Sequence, residues 1–257
     1  MENPIPPEST TLETRKTSIA ARFFNVIASP SEVYEEIREA QPNFWNWLWP
    51  VIIYGLIGSI FTLAVFSQKN ILHQIREMQS KAVQDAVAKK KLPPESVAQV
   101  EEFNDKFGAT MMKIAGSFGI LVSGFITPFA WGLILWLLAA YLLKVPIPYM
   151  QAVEAAGIAM PILLLAVIVS SLLTVAMGRL FSTASLALLI NDFDPSNKTH
   201  LALGAINLFY LWMAMVMGIA LSILTGKSLI KSLLGVFGVW ILIRVIFLSV
   251  GMGQMLL

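Results

Sequence analysis

Two ionisable residues stand inside long apolar segments of the sequence, and these are the first candidates for chemistry. Glu154 lies near the start of the segment AVEAAGIAMPILL, and Arg244 lies near the middle of the last apolar segment. A charge inside a bilayer costs at least ~2.5 kcal/mol on insertion scales, so such side chains normally face the interior of a helical bundle or a water-filled cavity. We predict that Glu154 and Arg244 form an ion pair. Extension of Glu154 to the nearby membrane surface and a proton or ion path are the alternatives.

The sequence offers few other groups for catalysis. The two histidines, His73 and His200, lie far apart in the chain, and no HExxH motif occurs. The tripeptide Gly226-Lys227-Ser228 lacks the upstream glycine that a phosphate-binding loop needs. The chain has no cysteine, which excludes disulfides and thiolate metal ligands. We therefore expect no enzymatic activity, no cofactor and no metal site.

The composition is typical of a chain that lives in a lipid bilayer. Apolar residues make up 56% of the sequence and charged residues 13%, against about 25% charged residues in an ordinary soluble domain. Too few charges remain to cover a globule in water. The net charge of +2 is small, and no basic run is interleaved with aromatic residues, so nucleic-acid binding is not expected.

Five segments that are almost free of charge are long enough to cross the membrane as helices, since ~30 Å of hydrocarbon takes about 20 residues. We place the first near residues 47–66, because the tryptophans before it favour the headgroup layer. The sequence thus predicts an all-α integral membrane protein with five transmembrane helices. The segments lie between Glu39 and Lys69, Lys113 and Lys144, Glu154 and Arg179, Lys198 and Lys227, and in residues 232–257.

The region before the first span divides into two parts. Residues 1–19 are polar and are expected to be disordered. Residues 20–43 form an amphipathic region that we expect to lie on the membrane surface, with a partner-binding helix as the alternative. Within it, Ser29 is expected to cap a helix that begins at Pro30.

A helical hairpin is predicted at about residues 67–110, between the first and second spans. Pro93 and Pro94 interrupt the helical pattern at its tip. Apolar residues recur at helical spacing in the second arm, which we expect to merge with the second span. This hairpin either packs only on itself or docks another protein, and the sequence favours neither. The candidate docking residues are Val97, Val100, Phe103 and Phe107.

Two further features concern the loops. Residues 180–191 are apolar but too short to span a membrane, and they are predicted to form an interfacial or re-entrant helix. Lys and Arg are more numerous on the hairpin side of the predicted topology, but most of them lie in the long hydrophilic segment, which can cross the membrane as a domain. The charge distribution therefore leaves the orientation open.

Several motifs in a fixed order resemble a known family. ASPSEVYEEI precedes a first span that contains WPVIIYGLIGSI, and AVEAAGIAMPILL follows with Gly157 and Pro161. The carboxy-terminal part then places Phe209 and Trp212 in one span and Gly226 in a short basic turn before the last. Over about residues 20–250 the chain resembles the Yip (Ypt-interacting protein) domain family in its prokaryotic form. The resemblance implies a five-helix domain at 44–257 in which these residues serve packing.

The family resemblance also carries functional implications. It implies a cytosolic amino terminus, a hairpin on the opposite side of the membrane and no catalytic residues. Eukaryotic members are trafficking proteins that associate with Rab-type GTPases, whereas some prokaryotic members accompany ABC-type exporters. This chain has a longer hairpin and lacks the long acidic amino-terminal domain of eukaryotic members, so Rab binding is not expected.

From these observations we expect a non-enzymatic adaptor or scaffold for other membrane proteins, which serves membrane trafficking or an export complex. Its location would be the bacterial cytoplasmic membrane, and homo-oligomerisation is a further option. The alternative function is a small transporter or channel subunit that uses Glu154 and Arg244.

Overall fold

The computed structural model describes residues 17–89 and 93–256, and ten α-helices account for most of these residues. The predicted disorder of residues 1–19 falls almost wholly outside the described residues; Ile19 already belongs to the first helix. The helices are α1 Ile19–Ala28, α2 Pro30–Glu39, α3 Phe44–Val65, α4 Lys69–Ala88, α5 Val97–Leu137, α6 Tyr149–Ile158, α7 Met160–Met177, α8 Lys198–Ala205, α9 Leu208–Thr225 and α10 Leu229–Ser249.

Five helical stretches in this structure are long and apolar enough to cross a membrane, which confirms the predicted fold class. The second of them is α5 with a π-helical turn at its end, and the third is α6 together with α7. The stretches are Phe44–Val65, Val97–Leu142, Tyr149–Met177, Leu208–Thr225 and Leu229–Ser249. The hairpin is confirmed as well, with α4 as its first arm and the start of α5 as its second.

Because the chain crosses the bundle five times, its connections alternate between two sides. α1, α2, the α5–α6 loop and the α9–α10 turn lie on the side that we call the amino-terminal side. α4, residues 178–207 and the carboxy terminus lie on the other, the hairpin side. The side chain of Gln74 connects α4 to the start of residues 178–207. Its Nε2 donates to the carbonyl of Gly178 at 2.7 Å, and its Oε1 accepts from the N–H of Leu180 at 2.9 Å.

The α6–α7 segment forms the centre of the bundle because its residues are small and apolar. Residues 152–162 are all buried. Ala159 separates the two helices and Pro161 lies in the first turn of α7, where a proline costs no hydrogen bond. Gly157 permits the closest approach, since a Cβ atom there would lie 2.2 Å from the Cβ of Trp47 in α3.

The two helices of the amphipathic region differ: Phe24 in α1 is 67% exposed, whereas α2 packs on the bundle. α2 does not present its apolar face to the membrane surface: Val33, Tyr34 and Ile37 are buried against the bundle. The physical reason is that an apolar helix face is satisfied equally by lipid and by protein, and α9 provides a protein surface for it. α2 does begin at Pro30, but the Ser29 side chain makes no capping hydrogen bond.

The structure also corrects the predicted helix at residues 180–191. Only a short 3-10 turn, Leu186–Leu189, is formed there. The backbone instead pairs with the end of the next loop, where the N–H of Leu186 donates to the carbonyl of Ile206 at 3.2 Å. A single antiparallel bridge between Ser185 and Asn207 accompanies this contact.

Replacing Gly157 by alanine tests the close approach of α6 to α3. We expect Gly157→Ala to lower the unfolding temperature of the purified protein, because overpacking costs about 1–3 kcal/mol. Gly119→Ala is the matched control, since nothing lies within 4 Å of a Cβ at this position in α5. The control should unfold at the wild-type temperature or slightly above it. Equal unfolding temperatures for the two variants would contradict the packing described.

Candidate functional site

The carboxylate of Glu154 lies inside the bundle, where the residue is only 1% exposed. Both of its oxygens accept hydrogen bonds from the start of α3. Oε1 accepts from the side-chain amide of Asn46, and Oε2 accepts from the backbone N–H of Asn43 at 3.1 Å. A carboxylate without such partners would be expensive to bury. The start of α3 therefore provides a receptor for this one acidic side chain.

The residues at the start of α3 explain why it can bind the carboxylate of Glu154. Asn43 is the residue that caps α3, and its side-chain oxygen accepts from the N–H of Trp45 at 3.0 Å. Backbone N–H groups near the start of a helix have no partner within the helix. The N–H of Asn43 points at Glu154 instead, which places an anion close to the positive end of the α3 dipole.

A chain of polar contacts leads from Glu154 towards the amino terminus. The Nη1 of Arg22 in α1 donates to the Oδ1 of Asn46 at 3.1 Å, and its Nε donates to the Oε2 of Glu36 in α2 at the same distance. Thr17 also donates to Glu36. We call Arg22, Glu36, Asn43, Asn46 and Glu154 the polar cluster. It joins α1, α2, α3 and α6 in one network.

Asn46 links two members of the polar cluster because its side chain both donates and accepts a hydrogen bond. It is 2% exposed, and it donates to Glu154 through its NH₂ group while accepting from Arg22 through its oxygen. The amide side chain offers both a donor and an acceptor, and Asn46 uses both. When Arg22, Glu36 and Glu154 are all ionised, the guanidinium of Arg22 lies between the two carboxylates.

A second contact fastens α2 to the same part of α6. The hydroxyl of Tyr34 donates to the carbonyl of Ala155 at 3.1 Å, next to Glu154 in the chain. Burial raises the pKa of Tyr34 well above its usual range, so the hydroxyl remains a neutral donor at any physiological pH. The side chain of Gln151 adds a weaker bond to the carbonyl of Ile37 at 3.4 Å.

The predicted ion pair between Glu154 and Arg244 is not formed among the described residues. The guanidinium of Arg244 lies 3.5 Å from the centre of the Trp240 ring, and its Nε donates to the carbonyl of Ala205 at 3.3 Å. The reason is that Glu154 and Arg244 lie at different depths along the bundle. α10 begins on the amino-terminal side at Leu229, and Arg244 lies about 22 Å further along the helix axis. Glu154 stays near the amino-terminal side.

Four of the five residues that carried the family resemblance lie in packed parts of the bundle, and the fifth, Gly226, is exposed. Gly157 and Pro161 belong to the buried α6–α7 segment. Phe209 and Trp212 lie in α9 with their rings stacked 6.3 Å apart. Gly226 ends α9 with a φ of +65°, a left-handed conformation that glycine adopts at no steric cost.

The predicted docking residues of the hairpin divide into two groups. Val97 and Val100 are half-buried, whereas Phe103 and Phe107 are 49% and 52% exposed, with ring centres 5.4 Å apart. On another part of the hairpin side, a cleft of about 850 Å³ separates α4 from the loop after α7. Its charged lining residues are Glu77, Lys81, Asp85, Arg179, Asp192 and Asp194.

The sequence did not predict that Arg22, Glu36, Asn43 and Asn46 belong to the site. One signal was present: Asn46 is an amide in an apolar, tryptophan-rich helix start, and such a residue requires buried partners. The identity of those partners depends on contacts between residues that are distant in sequence. Arg22 and Glu154 are brought together only by the packing of α1 and α6 on α3.

Comparison with known protein families identifies the family of this chain. The model of a family described as the Yip1 domain matches residues 24–251. The chain belongs to the Yip1 domain family. This confirms the resemblance noted in the sequence. No match was found among curated proteins or among solved structures. Four members of the polar cluster fall within the Yip1 domain match, and Arg22 lies just before it.

A double-mutant cycle tests the partners assigned to Glu154 in this Yip1 domain. We expect Glu154→Ala and Asn46→Ala to be non-additive in the free energy of unfolding by about 1–3 kcal/mol, because the two side chains share a buried hydrogen bond. The matched cycle combines Glu154→Ala with Arg244→Ala and should be additive within about 0.5 kcal/mol. Chemical unfolding in detergent measures both. A larger coupling with Arg244 than with Asn46 would contradict the assignment.

Proposed function

We propose that this Yip1 domain protein is a non-enzymatic membrane adaptor or scaffold that binds other integral membrane proteins through its spans and its hairpin. The observation that carries this proposal is what the two charged residues within the spans, buried Glu154 and half-buried Arg244, bind. Glu154 and Arg244 each bind groups of the bundle itself, at different depths. Their chemistry is therefore directed to holding the fold together.

The packing of the bundle centre supports the same proposal. Fully buried apolar side chains of α6 and α9 belong to one hydrophobic core cluster in the described part of the chain. The residues include Ala152, Ala155, Ala159, Met213, Met217 and Ala220. A rigid, packed bundle is suited to presenting outer surfaces to partners.

The outer surfaces that could receive a partner lie mainly on the hairpin side. The exposed rings of Phe103 and Phe107 and the cleft beside α4 are both there. The partner would be another integral membrane protein of a trafficking or export complex. An ABC-type exporter is the specific candidate, taken from the sequence resemblance alone.

One observation favours the alternative of a small transporter or channel subunit. Glu154 is a buried acid that is linked through Asn46 and Arg22 to a second carboxylate, Glu36, and buried acids in membrane spans often carry protons or ions. Ion or solute flux by the purified protein in liposomes, lost in Glu154→Gln, would support this alternative and overturn the adaptor.

We also propose that the amino terminus is cytosolic, so that the hairpin faces the opposite side of a bacterial cytoplasmic membrane. The chain has no native cysteine, so Ser31→Cys in α2 and Gln84→Cys in α4 provide single, exposed thiols on the two sides. A membrane-impermeant, thiol-reactive photo-crosslinker added to spheroplasts should modify Gln84→Cys only. Modification of Ser31→Cys alone would reverse the orientation.

The same reagent tests the adaptor. After illumination, we expect the Gln84→Cys protein to be joined to one other integral membrane protein in a stoichiometric amount. A matched control variant, Arg76→Glu, alters the hairpin charge away from the cleft and should leave capture unchanged. Substituting Lys81→Glu within the cleft should reduce it. Modification without capture, together with flux in liposomes, would contradict the adaptor function.

A further inference from the structure

One face of α5 carries a continuous row of exposed apolar side chains. Successive members are three or four residues apart, about 3.7 residues on average, so the row stays on one side of an α-helix, which has 3.6 residues per turn. At 100° per residue they fall within a sector of about 80°. Their exposed fractions range from 47% to 64%. We call this row the α5 stripe: Phe103, Phe107, Met111, Ile114, Phe118, Leu121 and Phe125.

Lipid can cover only part of the α5 stripe. The helix of 46 residues from Val97 to Leu142 is about 69 Å long, more than twice the ~30 Å of hydrocarbon. Its charged residues all lie in the first part, and Phe103 and Phe107 stand among them. The charged residues are Glu101, Glu102, Asp105, Lys106 and Lys113.

The outer part of α5 is not free to lie down on the membrane surface. It continues the spanning helix without interruption, and the proline within α5, Pro128, lies inside the charge-free part. α4 packs near another face of α5, where Gly108 approaches Gln79. Apolar rings on the α5 stripe therefore project into water, and contiguous exposed apolar surface of this kind marks a binding site.

We propose that the α5 stripe binds the α5 stripe of a second copy of this chain. The two helices form a parallel, in-register pair whose two-fold axis lies along the membrane normal. Copies inserted in the same orientation are related by such an axis, so each residue of the stripe meets its own counterpart. The α5 stripe is apolar both in the part that lies in lipid and in the part that lies in water. The same residues of two copies can therefore pack against each other at every depth.

The area of the α5 stripe is large enough for an interface with a second copy of the chain. Four of its seven residues are phenylalanines, and a phenylalanine buries roughly 150–250 Å² when fully covered. With about half of each side chain available, the stripe offers roughly 600 Å² per copy, or roughly 1,200 Å² for the pair, which reaches the size of a specific interface. No charge needs to be buried, because Lys106 is paired with Glu102 at 2.6 Å on a different face. This dimer does not rest on the adaptor function. It covers Phe103 and Phe107, so a different partner would bind at the cleft beside α4.

Cysteine crosslinking in native membranes tests the dimer without background, since the chain has no cysteine of its own. Phe107→Cys and Phe118→Cys place thiols on the stripe. In an in-register pair their Cα atoms would come within reach of a disulfide, which needs about 4.4–6.8 Å. We expect both variants to form a disulfide-linked dimer of this chain on mild oxidation, several-fold more than the controls.

The controls are exposed positions at matched depths on other faces of α5. Lys106→Cys lies beside Phe107 outside the hydrocarbon. Gly119→Cys lies beside Phe118 on another face, where a Cβ would meet nothing within 4 Å. Equal crosslinking on all faces would indicate random collision and would overturn the proposal. So would absence of the dimer at stripe positions in protein that accumulates normally. If Phe107→Cys accumulates poorly, Met111→Cys serves the same purpose.

A second measurement separates the self-pair from other occupants. The mass of the purified protein in nanodiscs should correspond to two chains, and Phe103→Glu with Phe107→Glu should reduce it to one. Lys106→Glu, on the neighbouring face, should leave two chains. A particle that contains one chain and a different protein, or one chain in the unsubstituted protein, would overturn the proposal.

Discussion

The burial of one carboxylate constrains the architecture of the amino-terminal side. Glu154 lies near the start of the fully buried segment 152–162, where a carboxylate without partners would cost several kcal/mol. It is tolerated because Asn43 and Asn46 donate to its two oxygens. Those donors exist only if α3 begins beside α6. The position of Glu154 thus fixes where the first span starts relative to the third.

The same constraint makes the segment before the first span part of the bundle. Asn46 can hold Glu154 and Arg22 at once, and Arg22 in turn holds Glu36. α1 and α2 are therefore fastened to the core by polar contacts and by the buried ring of Tyr34. This arrangement closes the amino-terminal side. Long exposed surface remains on the opposite side, where α5 extends beyond the bilayer.

Much of the fold could be predicted because its signals are local. Charge-free runs gave the five spans, and two prolines marked the hairpin tip. The failures share a cause, which is that the partner of a group is set by packing. The apolar face of α2 gave no sign of whether lipid or α9 would cover it. Arg244 was placed near the middle of its segment, but α10 starts earlier than expected and carries it towards the hairpin side. The partners of Glu154 lie more than a hundred residues away in the chain.

Glu154 anchors α1, α2 and the start of α3. Hydrogen exchange of the purified protein in nanodiscs, read for residues 19–46, tests it most directly. In the unsubstituted protein these amides should exchange slowly. In Glu154→Ala their exchange should rise by roughly tenfold to a hundredfold, because hydrogen bonds to a charged group contribute about 1.5–3 kcal/mol. Fast exchange of α2 in the unsubstituted protein, or unchanged exchange in Glu154→Ala, would contradict the account.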